Sequence, residues 1–274
     1  MAGALRLDSA HVSRALSICT LLAACSFQGP SSGGESLDAS LIDGDQAVDA
    51  PPNNPGFALQ FDGNNDLVEL TNQVEADFTL EAWIKTTASA DTGAWWDGTG
   101  VIFGDTAFIN DDFGLVLLGT KAGFGTGNPD VGASSGSDVN GGDWVHIAGT
   151  RDRSSGQIRI FVNGVQEASA TGNTRTLDDP QVLQVGNGVV FGDAFTGTID
   201  EVRIWNIARS GADIAATMTR SLAGDEPGLV GYWRFDDGSG MTAADSSPSA
   251  NDGRLGAGNG DQAPTWVVSD SPVL

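Results

Sequence analysis

Short runs of alternating apolar and polar residues recur along most of the chain, and they read as β-strands. Phe57, Leu59 and Phe61 alternate with Ala58 and Gln60, and Phe78, Leu80, Ala82 and Ile84 alternate with Thr79, Glu81 and Trp83. The second run predicts a half-buried strand. Val101–Phe103, Phe113–Leu118, Trp144–Arg151 and the pair Leu183 and Val185 extend the series, whereas Phe124–Gly142 is rich in Gly, Ser and Asp and reads as a rim loop. Ile158, Ile160 and Val162 run into Asn163-Gly164 and Val165, the strongest short-range hairpin signal there is. In Thr198–Asn206 the period of two puts Asp200, Val202 and Ile204 on one side and Glu201, Arg203 and Trp205 on the other. Asp200 is then a carboxylate on an apolar face, costly unless a cation or hydrogen-bond donors meet it. One short helix is expected after this strand. Ser210 and Asp213 form a capping box, Ile214 and Met218 share a face, and the helix is placed on the edge of the sheets.

Several of these phrases resemble the bacterial type of laminin G-like, concanavalin A-like jelly-roll domain. The matching segments are Ala58–Val68, the strand Phe78–Lys85, Trp144–Thr150, Thr198–Asn206 and Leu229–Asp236, followed by Asp245-Ser246-Ser247 and Asn251–Leu255. The resemblance runs over nearly all of Phe57 to Asp270. It implies an all-β fold, a two-sheet antiparallel sandwich over residues 56–274. About forty residues follow Leu229, too few for a second sandwich of roughly 100 residues, so the closing block is assigned to the same domain.

The amino terminus reads as an address. Arg6 and Arg14 precede a short apolar run, Ala15–Leu22, in a signal peptide spanning 1–24. Leu22-Ala23-Ala24-Cys25 resembles the lipobox of bacterial lipoproteins, which implies acylation of Cys25 and attachment to the membrane through lipid alone. Residues 25–55 carry no sustained apolar period and read as a disordered acidic linker. The expected location is the cell envelope, lipid-anchored at the outer membrane or cell surface.

Charge narrows the partners. Asp and Glu number 36 against 13 Lys and Arg, a formal charge of -23, which excludes a phosphate-neutralising surface and hence nucleic acid. The two cysteines, Cys19 and Cys25, fall in the first thirty residues, so no disulfide staples the domain. Acidic oxygens suit a hard cation. Asp62, Asn64 and Asp66 are spaced by two in a turn, and in the wider superfamily the aspartate matching Asp200 often helps hold a structural calcium ion. These four residues are therefore expected to share calcium at one rim; the alternative for the turn is that Asp and Asn simply suit its backbone.

Trp95-Trp96 lies in a polar, Gly-rich stretch, where an exposed indole would offer a flat surface for a sugar or an aromatic partner; the alternative is that one ring closes the core and the other lies over it. His146, the only histidine outside the signal, reads as a packed residue without a catalytic partner. The superfamily also includes glucanases. Glu75, Asp77 and Glu81 come nearest to a catalytic pair but miss the spacing, and a solvated strand edge explains them. The expected function is a noncatalytic domain binding a glycan or a surface protein; the alternative is a glycoside hydrolase.

Overall fold

The computed structural model describes residues 56–104, 111–188 and 194–273. The signal peptide, Cys25 and the 25–55 linker lie outside the described residues.

Alternation becomes strand in chain order. The first half contains β1 (Phe57–Asp62), β2 (Val68–Thr71), β3 (Phe78–Lys85), β4 (Thr99–Phe103), β5 (Phe113–Leu118), β6 (Lys121–Thr126), β7 (Val131–Asp138) and β8 (Trp144–Asp152). The hairpin β9 (Gln157–Val162) and β10 (Val165–Thr171) follows, then β11 (Val182–Val185), β12 (Thr196–Trp205) and a helix, α1 (Gly211–Thr217). β13 (Leu229–Trp233), β14 (Thr242–Ala243), β15 (Gly253–Leu255) and β16 (Thr265–Val268) close the chain. The β9–β10 turn has φ of 48° at Asn163 and 76° at Gly164, the two left-handed residues that an Asn-Gly hairpin requires.

The strands form two antiparallel sheets of eight. The first runs β10-β9-β8-β3-β12-β1-β16, with β13 beside β12; the second runs β14-β15-β2-β11-β4-β5-β6-β7. One edge of β12 serves two partners, β1 along its first half and β13 along its second. The closing block therefore completes both sheets: β13 and β16 join the first, and β14 and β15 join the second. Asp245 fixes this block, its Oδ1 accepting from the amides of Tyr232 and Ser247 and its Oδ2 from the Ser247 hydroxyl and the Asn251 amide. Leu59, Phe61, Phe78, Leu80, Phe124, Ile147, Ile160, Ile199, Val202 and Ile204 meet between the sheets in one apolar cluster.

Three features depart from the sequence reading. β3 is buried on both faces rather than one, because α1 and its flanks cover the outer side of the first sheet. Trp83 Nε1 donates to the Met218 carbonyl at 2.7 Å, and Ile214 packs on Ala148 and Phe161. The helix thus lies over a sheet face rather than beside its edge. Its capping box is present, with the Ser210 hydroxyl accepting from the Asp213 amide.

The second departure is a bulge in β12. Asp200 pairs with Trp83 but Arg203 with Glu81, so β12 carries one extra residue there, and Glu201 takes a left-handed φ of 53°. Alternation breaks at that point. Ile199, not Asp200, joins Val202 and Ile204 in the core.

The third is the Gly-rich stretch after Phe124, expected as a loop. It is the end of β6 and the whole of β7. Its glycines answer to a ring placed above them.

Candidate functional site

Gly114 on β5, Gly125 on β6 and Gly132 on β7 are register partners, forming a row without side chains across three strands. Glycine inside a strand weakens it, and is kept where something must approach the backbone closely. Here that is Trp95. A Cβ on Gly125 would stand 2.0 Å from the indole Cγ; one on Gly114 would be 3.2 Å from the far edge of the ring, and one on Gly132 3.3 Å from the Trp95 Cβ. The ring is 3% exposed and packs with Phe103 and Val116 in a satellite cluster outside the main core.

A single 3-10 turn, Trp95–Asp97, forms a strap across this glycine row. Asp97 reaches back, its carboxylate accepting from the Ala94 amide at 2.9 Å, while the Asp97 amide donates to the Ala94 carbonyl. Because Trp95 is pinned, its neighbour is aimed. Trp96 stands edge-on to it, with centroids 6.0 Å apart and planes at 87°, and is only half-buried. Both rings border a cavity of about 300 Å³ lined also by Leu118, Asp130, Ala133 and Ser134. That is the small end of the range for ligand sites, roughly 300–1,000 Å³. Trp95 Nε1 is buried without a hydrogen-bond partner. The sequence left open whether these rings close a core or face a ligand; Trp95 does the first, and Trp96 lies half-buried against it at the border of the cavity.

The expected calcium set does not come together. Asp62 pairs with Thr196 across the β1–β12 ladder, while Asp200 lies four residues further along β12, about 13 Å away at ~3.3 Å per residue. The turn closes on itself: Asp66 accepts from the Asp62 amide, and Asp62 from the Asn64 amide, each at 2.9 Å. Burial raises the Asp66 pKa. Among the described residues no group of three or more His, Cys, Asp or Glu is disposed to hold a metal ion. Asp62, Asn64, Asp66 and Asp200 therefore do not fit a shared calcium, because the ladder register sets Asp200 four residues along β12 from the residue that faces the turn.

Asp200 instead accepts from the Ser269 hydroxyl at 2.6 Å and from the Glu201 amide at 2.8 Å. It borders a cavity of about 260 Å³ together with Glu201, Ser221, Asp236 and Ser271. Burial pushes its pKa up to about 7, against the opposing hydroxyls of Ser269 and Ser271. The sequence reading missed Ser269 and Ser271, which lie past the last family-like phrase and carry no pattern of their own.

The outer face under α1 holds a buried ionic network. Glu81 accepts from Arg209 at 2.7 Å and from the Trp205 indole, and its other oxygen stands 3.3 Å from His146 Nε2. Arg203 donates to Glu201 at 2.6 Å and to the carbonyls of Thr217 and Arg220, and Tyr232 donates to the same Glu201 oxygen. Burial alone would raise Glu81, but His146, Arg209 and Arg203 together hold it below the usual carboxylate range. Burial lowers His146 despite Glu81, which makes it a neutral, packed imidazole set against the edge of Trp83. The charge balancing Glu81 is then that of Arg209, stacked 4.0 Å over Trp205. Burial and the charge of Glu201 push Tyr232 up to about 12.

This network also disposes of the carboxylate trio. Glu81 is fully buried beneath α1 rather than solvated, whereas Glu75 and Asp77 are exposed, Asp77 accepting from the Arg153 amide. A substrate at Glu75 and Asp77 cannot reach Glu81.

A family model described as the concanavalin A-like lectin/glucanases superfamily, of laminin G type, matches residues 62–215. The chain belongs to this family. Among solved structures, it resembles a candidate carbohydrate binding protein from Bacteroides ovatus with a TM-score of 0.62 and 18% identity, over 80% of this chain and 61% of that one. It also resembles the CBM40 of a Ruminococcus gnavus sialidase bound to α2,3-sialyllactose, with TM-score 0.49 and 15% identity over 58% of this chain and 95% of that one. Domains LG4-5 of the mouse laminin α1 chain follow at TM-score 0.45 and 18% identity, over 58% and 45%. The chain thus spans less than two thirds of the Bacteroides protein's length. No curated protein matches it.

Proposed function

We propose that this protein is a noncatalytic glycan-binding lipoprotein of the cell envelope, which holds a saccharide in the cavity beside Trp96. The observation that carries the reading is the half-buried indole of Trp96, aimed by a pinned neighbour over a cavity of about 300 Å³. A sugar ring has an apolar face that stacks on such a surface, and hydroxyls that meet polar groups at its margin. Ser134 and Asp130 are groups of that kind here. The fold-level likeness to a candidate carbohydrate binding protein from Bacteroides ovatus points the same way by analogy.

In this reading the acylated Cys25 anchors the chain, the 25–55 segment spaces the domain from the membrane, and no metal is required at the cavity. The test is a glycan array probed with the full chain in detergent, beside its Trp96→Ala variant. Saturable binding to a saccharide that the variant loses supports the reading. An array on which the two proteins behave alike overturns it.

A further inference from the structure

We propose that the Trp96 cavity prefers N-acetylated hexosamines to fully hydroxylated hexoses, because it receives the methyl of the acetamido group beside Leu118. This rests on the glycan-binding reading above and names the class of glycan.

The strand register shows which side chains stand on the cavity's face of the sheet. Val116 on β5 pairs with Gly123 on β6, and Gly123 pairs with Ser134 on β7, so these residues form a row on one face. Val116 packs with Trp95, which makes this the face that carries the strap. Leu118, two residues along β5, shares that face and, like Trp96, packs against the same satellite cluster. Ala133 alternates to the other side, where it packs on the main core, so its methyl adds nothing to this wall. The cavity is therefore bordered on this face by two indoles, a leucine and the hydroxyl of Ser134, with Asp130 already engaged within the protein.

A wall of this kind has little to offer a hydroxyl. Every sugar hydroxyl turned toward Leu118 or an indole gives up water without a new partner, which opposes binding. An acetamido group in place of one hydroxyl reverses the balance at that position. Its methyl leaves water for leucine and ring carbons, and its amide keeps a donor and an acceptor for the Ser134 hydroxyl.

Short oligomers of chitin, the same oligomers carrying N-formyl in place of N-acetyl, and cellulose oligomers of equal length, titrated into the full chain in detergent, test this. The N-acetyl series is expected to bind about fourfold tighter than the N-formyl series, the factor that corresponds to about 0.8 kcal/mol for one buried methyl group. The cellulose series is expected to bind less tightly than the N-acetyl one. The gap between N-acetyl and N-formyl should close in Leu118→Ala and persist in Leu118→Met, and all binding should depend on Trp96. Cellulose oligomers bound as tightly as the N-acetyl series through Trp96, or a gap that Leu118→Ala leaves unchanged, overturn the methyl rule while leaving glycan binding intact. Binding that survives Trp96→Ala places the sugar elsewhere and also overturns it. If the three series fail and the array glycans that bind through Trp96 lack acetamido groups, the rule is again overturned. If no array glycan binds, the glycan reading itself falls, and the methyl rule with it.

Discussion

The indole of Trp95 lies on the bare backbone of Gly125, so close that a β-carbon there would meet its Cγ at 2.0 Å. This contact ties a strand that looks unlike a strand to a ring that looks exposed. Each explains the other: the glycine gives up strand propensity so that the ring can seat, and the seated ring fixes the direction of Trp96.

Gly125→Ala should therefore destabilise the domain, although alanine is the better strand former. Overpacking of this kind costs about 1–3 kcal/mol. Urea denaturation should show a lower midpoint, and tryptophan emission should shift to the red as the strap lifts. Gly188→Ala is the control, since its Cβ would stand at an ordinary 3.5 Å from Phe103 and the midpoint should hardly move.

Trp95 and Trp96 should separate stability from binding. Trp95→Ala empties the slot above the glycine row and is expected to cost about 3–5 kcal/mol, as large aromatic truncations do. Trp96→Ala removes a half-buried ring at the cavity mouth, and its melting temperature should stay within a few degrees of the parent. Equal losses of stability from the two would contradict the division of roles.

Glu81 and Arg209 form a buried pair under α1, so removing either charge alone should hurt more than removing both. Glu81→Gln leaves the Arg209 guanidinium uncompensated and is expected to cost about 3–5 kcal/mol in chemical denaturation. Combining it with Arg209→Met should recover part of that loss. Additive costs in the double variant would count against the pairing.

Asp200 should make stability fall as pH rises. Its pKa is pushed from 3.8 to about 7 in the folded protein, so between these values the native state holds a proton that the unfolded chain has released. The contribution is complete below about pH 4 and is lost as pH climbs through about 7, with a slope of at most ~1.4 kcal/mol per pH unit. Asp200→Asn should flatten the profile in that window and be the more stable protein at pH 8. An identical slope in the variant would show that another group governs it.

Much of the fold could be read from the sequence because alternation and turn chemistry are local. The strands around Phe78–Ile84 and Phe57–Phe61, the Asn163-Gly164 hairpin and the Ser210 cap all depend on near neighbours. What escaped depends on partners far along the chain. Nothing near Glu201 announces a bulge, because the bulge exists only against β3; without it Asp200 reads as core-facing and the calcium set looks convergent. Glu81 reads as a solvated edge until α1, more than a hundred residues later, covers it. Gly125 and Gly132 read as loop because the ring that needs them sits some thirty residues earlier. Trp95-Trp96 was legible as a candidate pair, but which indole is buried and which borders the cavity became clear only with the glycine row.

The most direct test of the account is a titration of the full chain with the best array glycan, followed by tryptophan fluorescence, alongside Trp96→Ala at matched folded fraction. A saturable emission change is expected in the parent and at least a tenfold weaker response in the variant. A variant that binds with the parent's affinity would contradict it.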